Sequence, residues 1–192
     1  MLKLSIQNST GAQSSQTGCK HYQRKCCFIA PCCKKMYVCR LCHDESESHE
    51  MVRTEVTEIV CMVCRKIQEV RRKCSSCNTI FGEYFCEKCR LYDDVVTKGQ
   101  FHCDRCGLCR IGGKANYFHC ETCSICLSLS LKNNHQCRKW TSRRDCPICH
   151  EDIHTSVKDG TLLSCGHIIH SSCLQQYQML QGYSQVTCPV CG

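Results

Sequence analysis

Large apolar side chains occur along this chain only in short runs, which polar residues, glycines and cysteines interrupt. Residues 1–18 are polar, rich in Ser, Gln and Thr, and without a periodic pattern, which predicts a disordered tail. After this tail, the segments between successive cysteine pairs are about ten residues long and cannot bury one sizeable core. No run is apolar enough to span a bilayer or to serve as a secretory signal, so the pattern predicts neither.

Two stretches predict regular secondary structure. Residues 37–39 read YVC, which predicts a short strand. In SSCLQQYQML, residues 171–180, the side chains of Leu174, Tyr177 and Leu180 recur at helical spacing and would share one face of a short helix. The rest of the pattern indicates a small irregular α+β fold, which needs a source of stability besides its core.

Cysteine and histidine can supply that stability. The chain has 192 residues, of which 26 are Cys and 10 are His. A cysteine fraction this high is typical of a disulfide scaffold or of a metal-bound protein. Metal is favoured, because most cysteines occur as C-x2-C, a loop too small for most structural disulfides, and because histidines repeatedly stand beside them. Mixed thiolate and imidazole ligands predict zinc, which contributes about 10–16 kcal/mol per structural ion to folding.

The formal charge of +8 would ordinarily suggest a nucleic-acid partner. A zinc-bound cysteine is a thiolate, however, and about 24 thiolates with about eight Zn²⁺ ions change the net charge by roughly −8. The metal-loaded protein is then close to neutral, because the basic residues mostly offset the metal centres. We therefore expect no nucleic-acid partner and no membrane partner.

The candidate ligands form three groups along the chain. The first group, in residues 19–79, supplies twelve candidates, enough for three tetrahedral sites. They are Cys19, His21, Cys32, Cys33, Cys39, Cys42, His43, His49, Cys61, Cys64, Cys74 and Cys77. How these ligands divide between the ions is left open by the sequence.

Two choices within this group have alternatives. Cys26 and Cys27 could replace Cys32 and Cys33, or they could be buried thiols. We prefer Cys32 and Cys33, because the turn before them and the strand after them would fix their direction. His49 is either a ligand or a solvated surface histidine.

The second group, in residues 80–140, contains a repeat, since FHCDRCGLC at 101–109 returns as FHCETCSIC at 118–126. Its twelve candidates are Cys86, Cys89, His102, Cys103, Cys106, Cys109, His119, Cys120, Cys123, Cys126, His135 and Cys137. A C-x2-C-x2-C run cannot easily place three thiols on one ion, so we expect its ligands to be divided between successive ions in a stack of zinc-pinned turns. Two independent zinc knuckles are the alternative. Gly107, Gly112 and Gly113 suit tight turns around the ions.

The third group has the most specific spacing, C-x2-C-x15-C-x-H-x2-H-x2-C-x14-C-x2-C in residues 146–191. It resembles a RING finger of the H2 subtype, in which two zinc ions are held in a cross-brace. The resemblance assigns Cys146, Cys149, His170 and Cys173 to one ion, and Cys165, His167, Cys188 and Cys191 to the other. His150 and His154 are left over and are expected on the surface. The three groups together supply four ligands for each of about eight zinc ions.

The order of motifs resembles one family over residues 19–191. CKHY at 19–22, APCC at 30–33, YVCRLCHDESESH at 37–49, FGEYFCEKC at 81–89, the FHC repeat, CPICHEDIHTS at 146–156 and SCGHIIHSSC at 164–173 are similar to motifs of the RING finger and CHY zinc finger ubiquitin ligases. The resemblance implies tandem zinc-binding modules: a CHY-type finger at 19–79, a CTCHY-type zinc stack at 80–140 and a cross-brace RING-H2 finger at 146–191. Such ligases continue past the RING into a zinc ribbon, whereas this sequence ends at Gly192.

The resemblance also implies an activity. A RING-type ubiquitin ligase docks a ubiquitin-charged conjugating enzyme and promotes transfer of ubiquitin to substrate lysines, marking proteins for degradation. It forms no covalent intermediate with ubiquitin, so no catalytic residue is expected. Docking is expected at Ile148, Tyr177 and Pro189, although Tyr177 could instead pack in the core. Many RINGs place a cation directly after the last ligand, a position that Gly192 occupies here.

The partners that the resemblance implies are the conjugating enzyme and protein substrates, the latter bound through the CHY and CTCHY regions. Members of the family act in the cytoplasm and nucleus, and a reducing compartment suits so many thiols. The alternative is a zinc-built adaptor that binds other proteins without a transferase role.

Overall fold

The computed structural model describes residues 17–181 and 187–192, so the tail expected at 1–18 lies almost wholly outside the described residues. The chain divides into two compact units, Met1–Val95 and Val96–Gly192. This division falls inside the segment 80–140. The boundaries expected for three zinc modules therefore stay a prediction.

The first unit is built on a four-stranded antiparallel sheet. Its strands are β1 (Cys26–Ile29), β2 (Met36–Tyr37), β3 (Glu58–Cys61) and β4 (Ile67–Glu69), in the order β2-β1-β3-β4. The helix α1 (Arg40–Asp44), a 3-10 turn (Arg53–Glu55) and a hairpin of β5 (Tyr84–Cys86) and β6 (Leu91–Asp93) complete the unit. In the sheet, Phe28 of β1 pairs with Tyr37 on one side and with Ile59 on the other.

The core of the first unit is small and largely aromatic. The buried rings of Phe28 and Phe81 each pack against Tyr92, with centroids 6.3 and 6.2 Å from that ring. The buried guanidinium of Arg24 lies 4.0 Å from the centroid of Phe28 and 5.0 Å from that of Tyr92, a cation–π contact. This core holds the sheet, and the turns around it carry the cysteine pairs.

The second unit is a series of short antiparallel hairpins. They are β7 (Phe101–Cys103) with β8 (Leu108–Arg110), β9 (Tyr117–Cys120) with β10 (Ile125–Ser128), and β11 (Gly160–Leu162) with β12 (Ile168–His170). Three 3-10 turns, Val96–Lys98, Lys114–Asn116 and Leu129–Leu131, connect them, and α2 (Ser171–Leu180) follows β12. The small irregular α+β fold expected from the sequence is confirmed.

The helix expected at residues 171–180 is confirmed as α2. Leu174 is buried against Ile169 in the core of the last hairpin, Tyr177 is half-buried, and Leu180 is 87% exposed. The expected apolar face is therefore covered at the start of α2 and open to solvent at its end. Within the described part of the chain, no helix has the length and apolar character needed to cross a membrane.

The turns that carry C-x2-C pairs share one backbone feature. The residue after the second cysteine adopts positive φ at Arg65, Asn78, Arg90, Gly107, Ser124, His150 and Gly192. In the turns of Gly107 and His150, the N–H of this residue donates to the carbonyl of the first cysteine, at 2.9 and 2.8 Å. This tight turn brings both thiols of a pair to one side of the backbone. Only glycine adopts positive φ without a cost of roughly 1 kcal/mol, so the other positions must be held by what the thiols bind.

Candidate metal centres

The first candidate centre joins the start of the described chain to α1. The ligand atoms of Cys19, His21, Cys39 and Cys42 all lie within 4.8 Å of one another. The Nδ1 atom of His21 is 3.6 Å from the sulfur of Cys39 and 3.6 Å from that of Cys42. On the other side of the ring, Nε2 is 3.1 Å from a carboxylate oxygen of Glu45, which orients the ring so that Nδ1 faces the thiols.

A second candidate centre gathers Cys32, Cys33, His43 and His49, which favours the first of the two alternatives given above, and the assignment stays a prediction. The sulfur of Cys32 lies 3.3 Å from Nε2 of His43, a fully buried ring. Nδ1 of His43 is 2.9 Å from Oδ1 of Asp44, so a carboxylate again holds the far side of a candidate ligand. Asp44 and Glu45 were not among the residues indicated by the sequence pattern, although their position directly after the candidate ligands Cys42 and His43 was a usable signal.

Cys26 and Cys27 lie elsewhere, in β1, where both are buried. Burial raises the pKa of Cys26 to about 11, and its thiol packs in the apolar core beside Arg24. Burial also raises the pKa of Cys27. Cys32 and Cys33, by contrast, belong to a cluster of four candidate ligands, so the geometry favours them, and their role as ligands stays a prediction.

A third centre in the first unit consists of Cys61, Cys64, Cys74 and Cys77. The Sγ–Sγ distances are 3.7 Å between Cys61 and Cys77 and 3.5 Å between Cys64 and Cys74. Hydrogen bonds from the backbone of Cys77 and from the side chain of Gln68 lower the pKa of Cys74 to about 5. A lowered pKa favours the thiolate, the form that binds metal.

Four further candidates are divided between the two units. In the first unit, Cys86 and Cys89 are both buried, and Cys86 ends β5. In the second unit, His102 of β7 pairs with Cys109 of β8, with 3.8 Å between Nδ1 and Sγ. The assignment of these four residues as ligands stays a prediction.

The repeat is arranged as its spacing predicted, with each C-x2-C-x2-C run divided between centres. Cys103 and Cys106 of the first run meet His119 and Cys126 of the second. Nδ1 of His119 is 3.3 Å from the sulfur of Cys106, which in turn is 3.6 Å from the sulfur of Cys126. Cys109, the last cysteine of the first run, instead faces the ring of His102.

The remaining cysteines of the second run form another centre. Cys120 is in hydrogen-bond contact with Cys123, His135 and Cys137. The sulfur of Cys137 lies 3.8 Å from that of Cys120 and 3.1 Å from Nε2 of His135. Nδ1 of His135 donates to the carbonyl of Leu131 at 2.8 Å, which fixes the tautomer and turns Nε2 to the thiols.

The last eight candidates form two interleaved clusters. In one cluster, Cys149 lies 3.3 Å from Nδ1 of His170, and Cys173 contacts both Cys149 and Cys146. In the other, Nδ1 of His167 lies 3.4 Å from Cys165, 3.3 Å from Cys188 and 3.7 Å from Cys191. Successive ligand pairs along the chain belong alternately to one cluster and to the other. This is the cross-brace arrangement of the RING finger that the spacing resembles.

The distances within these clusters test whether metal fits. Ligand atoms bonded to one tetrahedral zinc at about 2.0–2.3 Å are separated from each other by roughly 3.4–3.8 Å. The separations between paired ligand atoms in the described clusters run from 3.1 to 3.9 Å. A disulfide would bring two sulfurs to about 2.05 Å, and all the cysteines are free. The clusters therefore suit zinc, because their donors are thiols alone or thiols with imidazole nitrogens, which zinc prefers.

Cationic neighbours favour the neutral imidazole at one of these positions. Burial and then the positive charges of Arg138 and Arg144 lower the pKa of His167. A histidine must be neutral to bind metal through a ring nitrogen, so this environment favours the ligand form.

One expectation about the spare histidines is wrong. His150 is exposed as expected and occupies the positive-φ position of its knuckle. His154, however, is buried, and its Nε2 lies 2.8 Å from the carbonyl oxygen of Cys106. It therefore links the RING segment to the zinc-pinned repeat. Cys106, whose carbonyl oxygen His154 contacts, is 48 residues away in the sequence, so no local pattern could have indicated this role.

Residues 138–145 form a second link between the same two segments. The hydroxyl of Thr141 donates to the carbonyl of Gly166 in the RING, at 3.0 Å. The hydroxyl of Ser142 lies 3.1 Å from the carbonyl of Cys123 and 2.9 Å from that of Ser124 in the repeat. Both hydroxyl-bearing side chains are buried. The RING and the repeat thus pack as one body within the second unit.

We predict that His154→Ala will destabilise the second unit by about 2 kcal/mol, because it removes a buried hydrogen bond and leaves a cavity. Urea unfolding of zinc-loaded protein, followed by the fluorescence of Trp140, measures this change. The control is His150→Asn, since asparagine tolerates positive φ and His150 is exposed. Equal destabilisation by the two variants would contradict the linking role of His154.

The three residues expected to dock a partner all lie in the RING segment. Ile148 lies inside the first knuckle, is half-buried and packs against the core formed by Ile153 and Ile169. Tyr177 on α2 and Pro189 in the last knuckle are also half-buried. Each therefore keeps part of its apolar surface open, and their docking role stays a prediction.

Comparison with known proteins identifies two domains. Residues 19–84 match the CHY zinc finger family, and residues 145–192 match the zinc-RING finger domain family. Their bounds enclose the first three centres and the two interleaved clusters.

Curated plant proteins are similar over most of the chain. The probable E3 ubiquitin-protein ligase RZFP34 of Oryza sativa subsp. japonica is 48% identical over 185 residues, which is 92% of this chain and 60% of the rice protein. The E3 ubiquitin-protein ligase RZFP34 of Arabidopsis thaliana is 41% identical over 187 residues, 93% of this chain and 63% of that protein. The rice E3 ubiquitin-protein ligase SRFP1 is 43% identical over 176 residues, 91% and 66% respectively. The chain thus spans about 60% of the length of the curated relatives it matches first.

Proposed function

The chain belongs to the family of proteins that combine a CHY zinc finger with a RING finger, and from this premise we propose that it is a RING-type ubiquitin ligase. The observation that carries the proposal is the interleaving of eight Cys and His side chains into two clusters at residues 146–191. The relatives named as ubiquitin ligases match the chain over this region and beyond it.

The bound metal has a structural role in this proposal. Every donor of a four-coordinate zinc would come from the protein, which leaves no position for an activated water. The ligand side chains would in turn fix the backbone of the first and last C-x2-C turns of the RING, here called its knuckles, at residues 146–149 and 188–191. These knuckles and α2 then present a rigid apolar surface formed by Ile148, Tyr177 and Pro189.

A ubiquitin-conjugating enzyme carrying ubiquitin would dock on this surface. The RING would hold the thioester in an orientation open to attack, and the amine of a substrate lysine would displace the thiol of the conjugating enzyme. Since the RING forms no bond with ubiquitin, its contribution is one of orientation. Transfer to substrates would mark them for degradation.

Self-ubiquitination tests the proposal. Zinc-loaded full chain is incubated with ubiquitin, activating enzyme, ATP and a panel of conjugating enzymes, and ubiquitin conjugates are resolved by gel. We expect chains with at least one conjugating enzyme. If protein of verified zinc content forms no ubiquitin conjugates with any of the conjugating enzymes, the result would favour a zinc-built adaptor without transferase activity.

Ile148→Ala should lower ubiquitin chain synthesis at least about thirtyfold, because truncating a central apolar contact of an interface costs about 2 kcal/mol or more. The initial rate of conjugate formation with the most active conjugating enzyme measures this loss. The zinc content of the variant should equal that of the unaltered chain.

The matched control for this variant is Val157→Ala. Val157 is an aliphatic residue of the same segment that is 65% exposed and lies outside both knuckles. Its truncation should leave the rate within about twofold, as surface substitutions usually do. An unchanged rate for folded Ile148→Ala would reject the docking assignment.

Substrates would bind through the zinc modules at 19–79 and 80–140, the second of which we assign to the CTCHY type. The turns of these modules are held at many points by clusters of thiols. Such turns form a rigid surface even though the apolar core is small. The free thiolates of the apo-protein require a reducing compartment, so the cytoplasm and nucleus are the proposed locations. Removal of the module at 19–79 should weaken capture of substrate while leaving self-ubiquitination measurable.

A further inference from the structure

A small basic cavity lies on the second unit beside the cluster of His167. It has a volume of about 110 Å³ and is lined by Arg138, Lys139, Thr141, Arg144 and His167. One water molecule needs roughly 10–15 Å³ by the same measure, so the cavity has room for a compact polyatomic group. All of its lining comes from the segment joining the repeat to the RING and from one RING turn.

The cavity is held in shape by hydrogen bonds. Nε of Arg138 donates to the carbonyl of Cys165 at 2.7 Å, and the hydroxyl of Thr141 donates to that of Gly166 at 3.0 Å. The stem of Arg138 packs so closely on Gly166 that a Cβ there would lie 2.9 Å from Cγ of the arginine. Arg138 and Thr141 are therefore held in place before any ligand binds, which lowers part of the entropy cost of binding.

Within the described residues, no acidic side chain forms an ion pair with a cation of the cavity. Acidic side chains elsewhere pair with Lys25, Arg40 and Lys158, but the ion pairs of the described residues include none made by Arg138, Lys139 or Arg144. Cations gathered without counter-charges repel one another. Their proximity is a cost that a bound anion would remove.

Neutralising the adjacent zinc cluster does not account for them. Three thiolates and one Zn²⁺ leave that centre with a net charge of about −1. The three cations exceed this charge by about two. A ligand with a charge near −2 would neutralise this excess positive charge, whereas a single carboxylate would neutralise only about half of it.

His167 adds a donor to the cavity. Its Nδ1 atom faces the three thiols, so its Nε2 carries the proton and points away from the cluster. None of the hydrogen bonds found in residues 17–181 and 187–192 uses this Nε2. A ligand histidine ordinarily donates its second N–H to an oxygen, and an anion in the cavity would supply that oxygen.

Trp140 supplies an exposed aromatic side chain next in sequence to residues that line the cavity. It stands between two residues that line the cavity, is 52% exposed, and has φ of 60°. A bulky residue rarely adopts this left-handed conformation, because its side chain crowds the backbone. The backbone N–H of Trp140 donates to the carbonyl of Thr122 at 3.0 Å, so the repeat holds the strained turn in place. The fold thus holds the backbone of Trp140 in a strained conformation and leaves its indole exposed to solvent.

We propose that this cavity binds the phosphoryl group of a phosphorylated serine or threonine in a protein segment, with an apolar neighbour of that residue packing on Trp140. A phosphoryl group carries about −1.5 to −2 charges at pH 7 and three strong acceptor oxygens, which match two guanidinium forks, one ammonium and one imidazole N–H. The indole adds a preference for protein over free phosphate. Such a segment could belong to a substrate, but the binding site does not depend on transferase activity.

The fluorescence of Trp140 can report this binding, because it is the single tryptophan of the chain. Zinc-loaded full chain is titrated with a degenerate peptide library that has a fixed central phosphoserine, and with the same library carrying serine instead. Inorganic phosphate and a single-stranded oligonucleotide are titrated separately. We expect a saturable change with the phosphoserine library, at a concentration at least about tenfold below that needed with the other probes.

The second experiment removes positive charge from the cavity. Lys139→Gln combined with Arg144→Gln removes two cations and preserves Arg138, whose stem packs on the RING. We expect binding of the phosphoserine library to weaken at least about tenfold. The control combines Lys132→Gln with Arg143→Gln, which removes two exposed cations that do not line the cavity. It should weaken binding less than about twofold.

Several outcomes would overturn the proposal. Equal binding of inorganic phosphate would indicate a site for the free ion, and tighter binding of the oligonucleotide would indicate a nucleic-acid site. Equal weakening by the two double variants would indicate attraction by net charge alone. If the cavity variant fails to retain its zinc, the comparison of phosphoserine and serine libraries on the unaltered chain still decides, and equal response to both rejects the proposal. Loss of ligase activity in the assay above would leave this result unaffected.

Discussion

A strong chelator will unfold both units of this chain, and zinc will refold them. The largest apolar clusters are small, since the last hairpin of the second unit is closed by little more than Ile153, Ile168, Ile169 and Leu174. Strands of two to four residues and helices of five and ten residues cannot stand on such cores. Structural zinc supplies about 10–16 kcal/mol per site, which exceeds the total stability of most single domains.

Far-UV circular dichroism and the amide dispersion of an NMR spectrum measure this loss, with a phosphine reductant present so that the released thiols stay reduced. We expect both signals to collapse as the zinc content falls and to return on addition of zinc. Magnesium should not restore them, because a hard cation prefers oxygen ligands to thiolates. Retention of the native NMR spectrum by fully demetallated protein would show that the side-chain core folds the chain unaided.

Replacing one ligand will have the next largest effect, and Cys33→Ala is the most informative choice. The sulfur of Cys33 belongs to the cluster with Cys32, His43 and His49, so its loss leaves three ligands for one ion. We expect the variant to bind one zinc fewer and to lose NMR dispersion for α1 and the turn before β2. The expected cost is several kcal/mol, because an incomplete site loses most of its metal affinity.

Cys27→Ala is the matched control, since it removes a thiol from the same region. Cys27 is buried in β1, and its thiol behaves as a small apolar group. We expect the full zinc content and a loss of about 1 kcal/mol. Loss of one ion from Cys27→Ala, with Cys33→Ala fully loaded, would reverse the assignment.

The clustering of the candidate ligands could be anticipated from the sequence, because spacing is a local property. Two thiols in C-x2-C are expected to share an ion, so the division of each C-x2-C-x2-C run between centres was the preferred expectation beside two independent knuckles, and the described clusters agree with it. The alternation of pairs at residues 146–191 was equally specific. Helix α2 could be placed because Leu174, Tyr177 and Leu180 carry a helical period.

Other features depend on contacts distant in sequence and could not be predicted. His154 is buried because the repeat lies over it, and its bond to the carbonyl of Cys106 closes a loop of 48 residues. The burial of Cys26 depends on β1 lying between β2 and β3 over Tyr92. The positive-φ residue of each knuckle was missed where it is not glycine, because the turn is imposed by the paired thiols and accepts residues as different as Arg65 and His150.

The count of zinc ions per chain tests the central claim most directly. Native mass spectrometry of protein purified with zinc and without added chelator gives this number from the mass difference to the denatured chain. We expect about eight zinc ions per chain, four ligands to each. Two or three ions in folded protein that still synthesises ubiquitin chains would contradict the account, because most of the Cys and His clusters would then stand without metal in an intact fold.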